Sequence, residues 1–151
     1  MRVEKLEKCR VAYMRRVGAY GVENFQLMRN LKKWASDNNL FTEDAVIYGI
    51  AQDNPEITPL ESCRYDVCIV IPNEYEVNNL VEEMELEGGE YAVYKINHTT
   101  EDVKKAWGEI FNDLQQKGYI IDNKPTIERY SKEMIDNEFC EICVPIKKYS
   151  A

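Results

Sequence analysis

The chain runs through the same order of signals twice, and an internal repeat constrains a fold more than any single motif does. The first copy covers residues 11–72 and the second residues 91–146. Each opens with a short apolar strand (11–17; 91–97), followed by a loop and a helix. A second strand (45–51; 126–131) leads through a polar loop to a third that ends in proline (65–72; 140–145). The likeness is one of pattern, with little identity between the halves.

The second helix is the clearest element. Val103, Ala106, Trp107, Ile110, Phe111 and Leu114 make one apolar stripe. Thr99 with Asp102 resembles a capping box, and Gly118 closes the helix. The first helix, over 21–38, has a broader stripe of Val22, Phe25, Leu27, Met28, Leu31, Trp34 and Ala35. Strand alternation sets Val67, Ile69 and Ile71 against Cys68 and Val70.

Two strand–helix–strand–strand halves can join their sheets with both helices on one face. The fold expected is therefore α+β: a tandem repeat forming one concave antiparallel sheet, two helices on one face and a central ligand cleft. A pocket is expected on the concave face away from the helices, lined from both halves. At 151 residues the chain reads as a single domain, 1–151, with repeats at about 1–75 and 85–151. Between them lies NEYEVNNLVEEMELEGGE, a connector with short extended pieces that turns at Gly88-Gly89. Its carboxylates (Glu74, Glu76, Glu82, Glu83, Glu85, Glu87) read as a solvated face.

Charge narrows the function. There are 19 Lys and Arg against 27 Asp and Glu, a net charge of −8, which argues against direct nucleic-acid and anionic-membrane partners. No run of 18 apolar residues occurs, and the N-terminus lacks the apolar core of a signal peptide, so a cytoplasmic protein is expected. The five cysteines then read as reduced thiols. Cys140 and Cys143 would fall on opposite faces of a strand, so no metal site is expected. His98 is the only histidine and reads as a solvated helix-entry residue. Gly-x-Ser-x-Gly, phosphate-loop and GxGxxG motifs are absent, and no cofactor is expected.

The segment DNPEITPLESCRYDVCIVIP, 53–72, is the most specific in the chain. Its D-x-P-E-x-T-P-x(4)-R-Y-D run into an apolar strand resembles the GyrI-like small-molecule-binding domain, which also serves as the effector-binding module of multidrug regulators. VAYMRRVGAY, Tyr48-Gly49, Gly89-x-Tyr91-Ala92-Val93, Thr126–Tyr130 and Glu141–Pro145 match further pieces of the family in order. The chain departs at Asn97-His98-Thr99-Thr100, in place of a His-x-Gly-Pro-Tyr type loop, and at Cys143, where an aromatic is common. No helix-turn-helix pattern precedes Val11, so direct DNA binding by this chain is not expected.

The resemblance implies a ligand pocket in which Glu128 meets the cationic part of a lipophilic drug or toxin while aromatic rings stack around it. Alternation puts Glu128 and Tyr130 on one face, Ile127 and Arg129 on the other. By the repeat alignment Tyr48 stands near Glu128 with Tyr130. Tyr65, Tyr13, Trp107 and Phe111 complete the expected binding set. A carboxylate among rings is poorly solvated, and a cation would compensate it. Two other functions follow from the resemblance. One is hydrolysis of reactive natural products, with Glu128 activating water and Tyr48 or Tyr130 donating a proton. The other is a protein-interaction role, with DNA gyrase or a separate regulator protein as partner.

Overall fold

The computed structural model describes residues 1–147. Residues 148–151 of the expected 1–151 unit lie outside the described residues.

The chain runs β1 (Arg2–Leu6), β2 (Cys9–Val17), α1 (Glu23–Asp37), β3 (Val46–Ala51), β4 (Arg64–Ile71), β5 (Glu82–Leu86) and β6 (Gly89–Asn97). It continues through α2 (Thr100–Gln116), β7 (Ile120–Ile121), β8 (Ile127–Ser131), α3 (Lys132–Asp136) and β9 (Phe139–Lys147). The strands form one antiparallel sheet in the order β1-β6-β9-β8-β3-β4-β2-β5, with β7 against the end of β9. The β2-β4-β3 pairing of the first half has its counterpart in β6-β9-β8, and β3 meets β8 at the centre.

The edges are exchanged. β1 precedes β2 in the chain but pairs with β6, and β5 precedes β6 but pairs with β2. The two short connections therefore cross. Gly88 sits at the crossing, where a Cβ would overlap the Leu6 carbonyl oxygen and crowd the Lys8 amide. Gly89 follows with φ +148°, a conformation L side chains rarely adopt. The acidic connector is thus partly strand, and its carboxylates complement β2. Tyr13 Oη donates to Glu82 at 2.9 Å, Arg10 pairs with Glu83, and Lys8 lies 3.1 Å from Glu85.

Three apolar clusters hold the molecule. α1 buries Leu31, Trp34 and Ala35 against Ala12, Ile47, Val67 and Ile69. α2 buries Ala106, Ile110 and Leu114 against Ala92, Ile142 and Val144. Both helices cover the same face. The Thr99 hydroxyl accepts from the Asp102 amide at 3.1 Å, as the capping pattern predicts, and Gly118 follows the helix at φ +82°. The third cluster fills the opposite face. It includes Leu6, Val11, Tyr48, Cys68, Met84, Val93, Ile127 and Cys143, one from each of eight strands. Only a curled sheet brings such distant strands together.

Two departures from expectation concern α1 and the edges. Val22 is 79% exposed and Phe25 58% exposed, so the buried stripe starts only after the first turn. Arg2–Leu6 is a strand that the alternation of so short and charged a segment does not announce.

Candidate functional site

β8 carries Glu128 and Tyr130 to the helix-bearing face, where Tyr130 packs with the α1 cluster. α1 rests on β2 and β4, and α2 on β6 and β7. The central strands β3 and β8 lie between the two supports. Glu128 is paired in register with Gly49 of β3. A methyl group on Gly49 would lie 2.5 Å from the Tyr65 hydroxyl and 3.8 Å from Met28 Cε. The missing side chain thus admits Tyr65 and Met28 beside the carboxylate.

Tyr130 Oη donates to Glu128 Oε2 at 2.5 Å, a charge-assisted bond that fixes the carboxylate. Burial, and then the Glu128 charge, push the Tyr130 phenol far above its usual range. The Tyr65 phenol is raised for the same two reasons, and the Cys140 thiol is pushed up to about 12. All three groups stay protonated at neutral pH. The His98 ring lies 5.2 Å from the Tyr130 ring, and the Tyr20 ring meets Tyr65 edge-on at 6.1 Å. Phe25, largely exposed, stands one helical turn before Met28.

Among the described residues Glu128 forms no ion pair. The other inward carboxylates differ. Asp66 takes two hydrogen bonds from Arg15, at 2.6 and 2.8 Å, and one from Gln52 at 2.9 Å. Glu141 is held by Arg129 at 3.0 Å and by Arg2 at 2.5 Å. The Glu128 carboxylate is thus braced by a phenol and left without a cation.

The structure brings together Glu128, Tyr130 and Tyr65 of the expected set. It does not bring Tyr48 to them. In the β3–β8 register Tyr48 stands opposite Arg129, so its ring belongs to the other face, with Val11, Cys68 and Ile127. Tyr13 is on that face too, bound to Glu82 and 5.5 Å from the Arg15 guanidinium. Trp107 and Phe111 pack on each other, ring centroids 6.1 Å apart, in the α2 cluster. The expectation that the carboxylate opens onto the face away from the helices is corrected: that face holds Tyr48, and the helix face holds Glu128. Sequence reasoning passed over Gly49, Met28, Phe25 and His98 as site residues. A glycine inside an apolar strand is the one signal that points to a close approach there.

The chain belongs to the GyrI-like small molecule binding domain family, whose profile matches residues 1–147. It is 44% identical over 146 residues to the SPbeta prophage-derived protein YosT of Bacillus subtilis, which carries a provisional transcriptional-regulator name; 96% of this chain and 97% of YosT are covered. Its fold is similar to the crystal structure of the EcmrR C-terminal domain, with a TM-score of 0.77 at 12% identity, covering 98% of this chain and 97% of that one. The chain spans 57% of the longer EcmrR chain seen in complex with DNA. It is also similar to SAV2435 bound to tetraphenylphosphonium, with a TM-score of 0.67 at 14% identity, covering 97% of this chain and 93% of that one. The fold is thus the one shared by the EcmrR C-terminal domain and SAV2435.

Proposed function

We propose that the chain is a receptor for lipophilic cations, bound over β3 and β8 with Glu128 as the counter-charge. The observation that carries this reading is the Glu128 carboxylate, braced by Tyr130 and free of any ion pair among the described residues. A carboxylate beside rings and a thioether loses water and here gains one phenol but no cation, and a ligand cation supplies the missing charge. Ring faces add roughly 0.5–2 kcal/mol for each cation contact. The similarity to SAV2435, solved with tetraphenylphosphonium, supports the same ligand class. In this reading the ligand lies against Tyr65, Tyr130 and Met28, with Phe25 and His98 at the margin.

The test is calorimetry with tetraphenylphosphonium and with neutral triphenylphosphine oxide, on the wild type and on Glu128→Gln. The wild type prefers the cation, and the variant loses about tenfold or more of cation affinity while binding the neutral compound as before. Equal cation affinity in both proteins rejects Glu128 as the counter-charge.

A further inference from the structure

The face away from the helices holds a cavity of about 190 Å³. Its floor is Tyr48, Ile50 and Ile127 from the central strands, with Tyr91 of β6 and Cys9 of β2. Leu6 and Leu86, from the exchanged edges, close it from above. The site is a product of the crossing at Gly88, because β1 and β5 supply its upper wall.

Two features mark it as more than a packing fault. Tyr48 and Tyr91 are each only 7% exposed, yet neither hydroxyl has a hydrogen-bond partner among the described residues. Neither oxygen is sealed off from solvent, and both side chains line the cavity. Both hydroxyls therefore meet water when the cavity is empty, and an entering oxygen that displaces that water can take over its hydrogen bonds. The second feature is size. An apolar cavity of about 150 Å³ is enough to take up benzene.

The chemistry limits the occupant. The border carries Glu7, Glu85 and Glu87, which repel anions. Lys124 at the same border is engaged, donating to the Gly88 carbonyl at 3.0 Å. The carboxylates stand at the border and no charged side chain lies on the floor, so a charge carried down onto the floor would lose its hydration without a partner there. We propose that this cavity is a second ligand site, for a neutral single-ring compound bearing a carbonyl or hydroxyl oxygen, whose oxygen pairs with Tyr48 and Tyr91. The site is independent of the cation site, from which the central sheet separates it.

Cys9 supplies a reporter. It lines the cavity and is partly accessible, whereas Cys63, Cys68, Cys140 and Cys143 are buried. Acetophenone, with benzoate and benzylamine as charged isosteres, is titrated against the native protein while iodoacetamide alkylation of Cys9 is followed by mass spectrometry. Acetophenone is expected to slow Cys9 alkylation at least fivefold, and the charged isosteres are not. Tyr48→Phe and Tyr91→Phe, checked for unchanged folding, each weaken acetophenone at least threefold and toluene not at all. Glu128→Gln leaves acetophenone binding unchanged, which separates this site from the cation site whatever the fate of that reading. Unaltered alkylation with acetophenone, or equal affinity in both phenylalanine variants, overturns the proposal.

Discussion

Gly49 and Glu128 face each other across the central β3–β8 ladder, so one strand offers a carboxylate where its neighbour offers no side chain at all. The vacancy is taken by Tyr65, whose hydroxyl would meet a Gly49 methyl at 2.5 Å, while its Cζ would lie at an ordinary 3.4 Å. Gly49→Ala is therefore expected to lower tetraphenylphosphonium affinity at least tenfold by displacing the Tyr65 ring. Adding Tyr65→Phe removes the clashing oxygen and recovers most of the loss. Calorimetry on the single and double variants tests this, and failure of Tyr65→Phe to rescue would place the fault elsewhere.

Tyr130→Phe removes the only hydrogen bond that the described structure gives the Glu128 carboxylate. Hydrogen bonds to charged groups contribute about 1.5–3 kcal/mol, and partial exposure of this carboxylate puts the expected loss near the lower bound. Urea unfolding reads it. Cation affinity should fall as well, because the carboxylate is no longer fixed.

Arg129 lies between Glu4 and Glu141, and only 5% of the Glu141 side chain is exposed. Arg129→Met leaves that buried carboxylate with the exposed Arg2 alone, and breaking a buried pair costs about 3–5 kcal/mol, with Arg2 keeping the loss near the lower figure. Arg2 also reaches Glu141, yet is 54% exposed, so Arg2→Met should cost under about 1 kcal/mol. Denaturant midpoints compare the two. The same group sets an acid dependence: Arg129 holds the Glu4 carboxyl below its usual range. Its stabilisation is full above the unfolded carboxylate value and fades as pH falls through the lowered one.

At high pH the sign reverses. Burial pushes the Tyr48 phenol up to about 12, from an unfolded value of 10.0. The native state keeps a proton that the unfolded chain gives up. The stabilisation is complete below pH 10 and disappears between pH 10 and about 12. The difference corresponds to about 3 kcal/mol. Tyr48→Phe should flatten the alkaline decline of stability over that interval, as read by unfolding curves at stepped pH.

Most of the architecture is legible in the sequence because it is written in local periods. The α2 stripe from Val103 to Leu114 and the Thr99 cap need no knowledge of the rest of the chain. Alternation likewise puts Glu128 and Tyr130 on one face, and Cys140 and Cys143 on opposite ones. What fails is register. Matching β3 to β8 by their positions in the two halves set Tyr48 beside Glu128, whereas the antiparallel pairing sets it opposite Arg129. A slip of one residue turns every side chain to the other face, and no local signal reports it. The exchanged edge strands escape for a related reason. Arg2–Leu6 and Glu82–Leu86 carry charges at most positions, and their partners lie in the other half of the sequence.

That exchange makes each half the keeper of the other's border. A protease cutting the exposed stretch 73–80 would sever the backbone and release nothing, because the N-terminal fragment still holds β5 through β2, and the C-terminal fragment still holds β1 through β6. The two fragments stay clasped as a hand is by its own crossed fingers. A half made alone would have to finish its sheet with a strand from another molecule.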